Sequence, residues 1–453
     1  MQNETKRRKI AVIGAGISGI TASYLLQQKY DVTLFESLDR LGGHTNTVSV
    51  PDEAGVIWEV DTGFIVLNDC NYPILHELFE RWNVRVRWSD MSFSFFDPVD
   101  PFYYAGTTLF GLFSQVENAL RPSFYRFLFE ILRFCRDASL YLSVSSSPSR
   151  STLFPSPGVM TELSLGEFLE RGGYSIDMIE CYLLPMGSAI WSVPTETIRD
   201  FPAESFFRFF RNHGLLGLLK RPRWQTVCGG SSAYLSTFSS LFKGEVLLGS
   251  QVENVRRDLS RSEGGVAIFY RDNKSDDLKE KKFDEVVFAC HADQALNMID
   301  SPTVLEKDLL GVWKYQMNEA ILHTDSSILP PCKHAWASWN YYGRYRNSGL
   351  NDGGLSNSAT LTYYMNLLQG LDSKTDFLVT LNDDRHILKD KILKRISYSH
   401  PVYTAEAVYS QTRLHELQGK NHSYFAGSYF GNGFHEDGAR SGAQVALFKG
   451  VAL

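Results

Sequence analysis

The chain has 453 residues, a formal net charge of −6 and 43% hydrophobic residues, which suits two or three globular domains of about 100–200 residues each and excludes a disordered, collagenous or small disulfide-scaffold protein. A net negative chain offers no global cationic field for a polyanion, so no nucleic-acid partner is expected. Aromatic residues reach 13%, with Phe 30 and Tyr 22 dominating, an excess that points to a large aromatic-lined cavity.

The start, MQNETKRRKIAVIG, is basic but passes straight into a strand pattern without the apolar region of an export signal. No run of about 18 apolar residues follows that could span a bilayer. A cytoplasmic protein is expected, with peripheral membrane contact left open. Cys70, Cys135, Cys181, Cys228, Cys290 and Cys332 show no C-x-x-C pairing and no histidine at zinc-ligand spacing. They read as buried thiols in a reducing compartment, and no metal is expected.

Lys9 to Ile13 is a short apolar strand, followed by Gly14-Ala15-Gly16-Ile17-Ser18-Gly19. Ile17, Ile20, Tyr24 and Leu25 then recur at helical spacing, and Asp31 to Glu36 reads as a second strand, which makes a βαβ unit. Such a strand-to-helix turn seats a pyrophosphate on the helix N-terminus, where unpaired N–H groups favour anions. Gly14 makes the turn, Gly16 admits the phosphate and Gly19 lets the helix pack on the strand. Glu36, at the end of the second strand, is placed to accept hydrogen bonds from ribose hydroxyls, and its charge disfavours a 2′-phosphate. Ser37 follows it, and Arg40-Leu41-Gly42-Gly43-His44 then gives a second close backbone approach. A flavin dinucleotide needs that approach and a simple NAD dehydrogenase lacks it, so FAD is expected.

After Pro122, residues Phe124, Phe127, Leu128, Ile131, Leu132 and Cys135 fall on one helical face, with Arg126, Arg133 and Arg136 elsewhere. Ser143 to Gly158 has the composition of a surface linker, and Ser164 with Glu167 suits a capping box. A second amphipathic block interleaves Phe206, Phe207, Phe209, Phe210, Leu215, Leu216, Leu218 and Leu219 with Arg208, Arg211, Lys220 and Arg221. Core-facing helices are the plain reading of both blocks; a face that touches lipid or admits a lipid substrate is the alternative. The polar run Arg271 to Lys282 reads as a hairpin tip and Asn347 to Ser358 as a loop. Tyr424 to Ala426 reads as a strand entering a Gly-spaced turn, with a helix over Gly438 to Leu447, again aiming backbone donors at a ligand.

The stretch GAGISGITASYLL…VTLFES…RLGGHTNT resembles the FAD-binding start of the flavin amine oxidase and phytoene desaturase superfamily. More closely, the chain resembles a subgroup of NAD/FAD-binding proteins similar to the N-terminal flavin domain of plant cyclopropane-fatty-acid synthases. Matching segments run from VDTGFIVLN (Val60 to Asn68) through LPMGSAIWS (Leu184 to Ser192), VVFACHADQAL (Val286 to Leu296) and PVYTAEA (Pro401 to Ala407) to YFAGSYFGNGFHEDGARSG (Tyr424 to Gly442).

The resemblance implies that Gly14, Ala15, Gly16, Ile17, Ser18, Gly19, Glu36, Ser37, Arg40, Gly42, Gly43 and His44 lie along the ADP and pyrophosphate half of FAD. It places Gly63 and Phe64 at the flavin end, Val252 at the adenine, and Ala289 in the loop after a strand. Gly427, Ser428, Gly433, Phe434 and His435 would follow the ribityl chain and pyrimidine edge; relatives often carry an acid where Ser428 stands. His435, beside Glu436 and Asp437, is the one candidate acid–base, since a neighbouring carboxylate raises an imidazole pKa; holding the cofactor or the helix is its competing role.

The fold class implied is α/β, α+β overall: a Rossmann-like FAD-binding domain (1–85, 200–300 and 400–453) interleaved with a substrate domain of helices over an antiparallel sheet (86–199 and 301–399). The function implied is an FAD-dependent oxidoreductase passing a hydride from a hydrophobic substrate, fatty-acyl or isoprenoid, to flavin N5. The alternatives are a flavin amine oxidase, whose usual lysine near N5 cannot be assigned here, and a non-catalytic flavoprotein partner of a lipid-modifying methyltransferase. No H-E-x-x-H, G-x-S-x-G or P-loop supports metal hydrolysis, serine hydrolysis or ATP chemistry.

Overall fold

The structure is a computed structural model and describes residues 7–98, 102–145, 163–191, 195–217, 221–258, 265–273, 275–343 and 360–453. Five parallel strands form one sheet: β1 (Lys9–Ile13), β2 (Asp31–Phe35), β3 (Glu245–Leu247), β4 (Glu285–Phe288) and β5 (Ser423–Phe425), in spatial order β3-β2-β1-β4-β5. Ile10 pairs with Val32 on one side and Glu285 on the other, and Val287 pairs with Tyr424. Ile10, Ala11, Val12 and Ile13 are all buried. A continuous apolar run rather than an alternating one is what a strand covered on both faces requires.

Helix α1 (Ile17–Leu26) leaves the carboxyl end of β1 with Gly16 as N-cap and no side-chain cap. Its first-turn N–H groups therefore stay available to a ligand. Helix α5 (His435–Phe448) follows β5 and packs along α1. The two backbones touch at glycines: a Cβ on Gly442 would lie 2.3 Å from the Ser18 carbonyl oxygen, and one on Gly438 would lie 2.8 Å from Ile17 Cγ2.

The second large sheet has seven strands, in order Ile392–Val402, Lys314–His323, Leu378–Leu381, Thr360–Tyr364, Trp339–Tyr342, Phe93–Asp97 and Phe102–Ala105. Its pairs are antiparallel except Trp339–Tyr342 with Phe93–Asp97. Helices between residues 109 and 212 pack against its Trp339–Tyr342, Phe93–Asp97 and Phe102–Ala105 end. Ile176 to Trp191 is one helical stretch containing a π-turn at Ile179–Leu183. Pro185 lacks the N–H that would bond the Cys181 carbonyl, and Tyr104 Oη donates to that carbonyl instead at 2.9 Å.

Helix α3 (Pro122–Ser145) begins at Pro122 as expected but has three faces rather than two. Phe124, Phe127, Phe134, Ala138 and Leu142 are buried; Leu128 and Ile131 face the cavity described below; Tyr125, Phe129, Leu132 and Leu140 are exposed. Leu132, expected on the core face, is instead 47% exposed and also lines the cavity, so it sits at the cavity rim. Helix α4 (Ala203–Asn212) buries Phe206, Phe207, Phe209 and Phe210, while Arg208 pairs with Glu204 on its solvent side. Leu218, Leu219 and Lys220 of that block lie outside the described residues, as does the expected loop 347–358.

The linker reading of 143–158 is corrected at its start, where Ser143 still belongs to α3; residues 146–158 lie outside the described residues. The capping box of Ser164 and Glu167 forms. The polar run Arg271 to Lys282 is not a hairpin tip: most of it is the strand Ser275–Phe283, an edge strand paired to Val266–Asp272. Asp, Lys and Glu there follow from an edge facing water, which natural sheets load with charge.

Candidate functional site

A cavity of about 1460 Å³ opens at the carboxyl ends of the parallel strands, lined there by Ile13, Phe35, Ala289 and Gly427. This is where doubly wound sheets bind ligands, and it exceeds the roughly 300–1,000 Å³ of ordinary small-molecule sites. A dinucleotide and a second molecule need such room together.

The glycines divide into two roles. Gly14 has φ +102°, and a Cβ there would meet the Ala289 carbonyl oxygen at 2.6 Å; a Cβ on Gly19 would meet the Gly14 carbonyl oxygen at 1.9 Å. These two let protein approach protein. A Cβ on Gly16 would meet nothing within 4 Å. Gly16 thus faces open cavity at the start of α1, where a phosphate would sit. Gly42 donates its N–H to the Ala15 carbonyl at 2.8 Å, which brings the second glycine turn against the first.

Of the residues assigned to the cofactor from sequence, Gly14, Gly16, Ile17, Ser18, Glu36, Ser37, Gly42, Gly43 and His44 line the cavity, as do Gly63, Phe64, Val252 and Ala289. Glu36 is buried at the end of β2; one carboxylate oxygen accepts the Ala15 N–H at 2.8 Å and the other the Leu38 N–H at 3.0 Å. Three of the set do not reach the wall. Ala15 and Gly19 are buried behind it, and the Arg40 guanidinium donates to the carbonyls of Leu41, Gly43 and Thr45. Arg40 therefore braces the Gly42–Gly43 turn from behind, because a turn exposing this many carbonyls needs a donor.

From the other end of the chain, Gly427, Ser428, Gly433, Phe434 and His435 line the same cavity. The carboxylates expected to tune His435 are committed elsewhere. Glu436 accepts the N–H groups of Ile74 and Leu75 at 3.0 Å each, capping α2 (Pro73–Arg81), and Asp437 accepts those of Asn432 and Phe434 and a bond from Arg440. His435 stacks on Phe64 at 3.8 Å, its Nε2 shares hydrogen bonds with Thr45 Oγ1 and Tyr234 Oη, and burial lowers its pKa to about 3. The imidazole is neutral and holds the wall together; the structure does not give it the raised pKa of an acid–base.

Beside it stands a cluster that sequence reasoning named only in part. His44 stacks on Tyr398 and lies 5.0 Å from the His400 ring; His291 stacks on Tyr315 at 4.2 Å. Asn318 Nδ2 donates to His400 Nδ1 at 2.7 Å, which leaves the ring proton on Nε2. Tyr315 and Tyr398 sit on neighbouring strands of the seven-stranded sheet, and their meeting with His44 depends on tertiary pairing that no local pattern announces. His44 Nε2, Tyr403 Oη and Tyr429 Oη are buried without partners, and all three residues line the cavity. Orphaned polar groups of this kind call for a polar occupant. Together with open space over Gly16 and two helix N-termini at one cavity, they fit a dinucleotide.

The family model for flavin containing amine oxidoreductases matches residues 17–446. An L-amino-acid oxidase of Siganus canaliculatus is 23% identical over 335 residues, 70% of this chain and 57% of its own length; the chain thus spans little more than half of that relative. Among solved structures, a CLA-producing fatty acid isomerase from P. acnes is similar with a TM-score of 0.64 and 14% identity, covering 98% of this chain and 99% of the other. Cyclohexylamine oxidase from Brevibacterium oxydans is similar with a TM-score of 0.65 and 13% identity over 98% of each chain. Those two share the fold.

Two outcomes test the site. Gly16→Ala should leave unfolding of the FAD-free protein nearly unchanged yet weaken FAD binding about tenfold or more, whereas Gly19→Ala should destabilise the FAD-free protein itself by about 1–3 kcal/mol; flavin retained on gel filtration and thermal unfolding separate the two, and equal behaviour of both variants contradicts the assignment. The second concerns pH. Burial lowers the pKa of His44, His291 and His323 to about 4 and of His400 and His435 to about 3. Each takes up a proton on unfolding below about pH 6.5. Buried Asp61, raised to about 6, and Glu436, raised to about 7, act in the opposite sense because the folded form holds those protons more tightly. The histidines outnumber them, so stability should fall as pH drops from about 6.5 to about 4.5. Denaturant unfolding at pH 7 and pH 5 checks this; equal stability at both contradicts it.

Proposed function

The chain belongs to the flavin-containing amine oxidoreductase family, and we propose that it is an FAD-dependent oxidoreductase acting on an apolar substrate of the fatty-acyl or isoprenoid kind. The observation that carries this reading is the charge distribution of the cavity wall. Among the described residues its only carboxylates are Glu36 and Glu253, and no lysine lines it. Glu36 stands at the end of β2, and Glu253 is next to Val252 and paired with Arg271. Away from the dinucleotide half, nothing negative would hold an ammonium ion. The wall there is built from side chains such as Leu128, Tyr182, Met186, Ile190, Trp191 and Phe209.

Bound FAD supplies the hydride acceptor. The residues of this chain supply the rest. The apolar wall strips water from the substrate, which strengthens every polar contact inside. Trp191 lies 4.7 Å from Phe209, and Phe209 lies 5.1 Å from Phe434, so packed rings run from the substrate side to the turn before α5. His400, with its proton on Nε2, stands on the cavity wall as a hydrogen-bond donor.

A second part of the reading is peripheral contact with a lipid surface, from which such a substrate would be drawn. Leu109, Phe110, Val116, Leu120, Tyr125, Phe129 and Leu132 are exposed within one short span of chain. Leu132 also lines the cavity, with Leu112 and Leu128 beside it, so the patch is continuous with the cavity wall. Among the described residues no helix is long and apolar enough to cross a membrane, which leaves surface contact as the form such an attachment would take.

Anaerobic photometry of the FAD-loaded protein against acyl lipids, isoprenoids and amines tests the reaction. Loss of the long-wavelength flavin band with an acyl lipid or isoprenoid is expected; loss only with a polyamine would turn the reading to amine oxidation, and loss with none would favour a non-catalytic partner. Sedimentation with vesicles of phosphatidylcholine and phosphatidylglycerol tests the patch: the native protein should co-sediment and the double variant Phe110→Ser, Phe129→Ser should do so several-fold less. Identical sedimentation of the two would remove the patch from consideration.

A further inference from the structure

The cavity carries two cations that the chemistry above does not use. Arg221 and Arg223 both line it, and both are exposed, so they mark its outer end. The Arg223 guanidinium carbon stands over Trp88, 3.7 Å from the ring centroid. Asp69 accepts the backbone N–H of Arg223, and Arg221 Nε donates to the Gly217 carbonyl. Among the described residues neither guanidinium makes an ion pair. A guanidinium held over a ring and without an ion pair still has N–H groups to offer, and its N–H edge is the part that binds a carboxylate or phosphate with two parallel hydrogen bonds.

A file of rings connects these cations to the cofactor motif. His213 lies 6.2 Å from Trp224, the residue after Arg223; His213 stacks on Phe209 at 3.8 Å, and Phe209 stacks on Phe434. Burial lowers the His213 pKa, so this ring is neutral and adds no charge to the file. Positive charge thus sits at the open end beside Asp69, whose carboxyl the Arg223 N–H and, to a lesser degree, the Arg223 charge hold below its ordinary range, and an uncharged aromatic wall without a lining carboxylate leads inward. Low-dielectric walls focus such a field on the entrance.

We propose that Arg221 and Arg223 bind the anionic head of an amphiphilic substrate, whose apolar tail lies along the Trp224–His213–Phe209–Phe434 wall. This specifies the substrate class of the reading above and rests on it for the identity of the reaction, not for the binding. The arrangement selects against amines and against apolar molecules with no anionic group, and it fixes the tail's direction of entry.

Calorimetric titration of the FAD-loaded protein with oleate, oleyl phosphate and oleyl alcohol tests this without any redox step. At least one of the two anions should bind about tenfold or more tightly than the alcohol, and which one does so identifies the head. The double variant Arg221→Gln, Arg223→Gln should bring that anion down to the alcohol's affinity while leaving the alcohol's unchanged, which shows that the fold is intact; Arg221→Lys, Arg223→Lys should keep part of the preference. Equal binding of anion and alcohol to the native protein, or a preference that survives the glutamine variant, overturns the proposal. If the anion binds as stated yet never reduces the flavin, the redox reading fails and this one stands. If uncharged isoprenoids reduce it while no anion is preferred, the reverse holds.

Discussion

Everything in this molecule hangs on the crossing of α1 and α5. Gly438 and Gly442 let the two backbones touch where any side chain would hold them apart, and the touching aligns two helix N-termini on one cavity. Thr45 and His435 are 390 residues apart in sequence and hydrogen-bonded at 2.9 Å as a result. The Glu436 carboxylate extends the arrangement by capping α2, so three helices share one junction. Burying that carboxylate is costly; the two backbone N–H groups and Arg440 offset part of the cost, and burial still raises its pKa to about 7.

The amino-terminal half of the site was legible because its signals are local. A βαβ turn needs glycine at fixed offsets, and Gly14, Gly16, Gly19 and Glu36 occur at those offsets for reasons that involve few other residues. The carboxyl-terminal turn was legible as a turn and helix, while the roles within it were not. His435 sits next to two acids in the chain, but successive residues of a helix point in different directions, and both acids turn to backbone donors. Arg40, carried over with its motif, does not line the cavity; its guanidinium donates to the carbonyls of Leu41, Gly43 and Thr45, contacts set by how the turn closes.

The sheets show the same division. Strands buried on both faces announced themselves as apolar runs. The strand Ser275–Phe283 did not, because a sheet edge in water can be written almost entirely in charge. Helix α3 carried a periodic apolar pattern that is correct in period and wrong in destination: part faces core, part faces cavity, part faces solvent. Periodicity reports which residues share a face and says nothing about what that face meets. The histidine and tyrosine cluster around His44 had no pattern at all, since Tyr315 and Tyr398 reach it only through the pairing of two distant strands.

The position of β5 has a consequence for the order of events during synthesis. This strand joins the sheet beside β4 and delivers α5 to the junction, yet it is made hundreds of residues after β1. A nascent chain on the ribosome can form the first phosphate turn early, but its cofactor cleft stays open on one side until β5 arrives. Pairings so far apart in sequence form slowly, because a long loop must close before any contact rewards it. Flavin capture then waits on β5 and α5, and the cofactor acts as a folding ligand that draws that strand and helix into place.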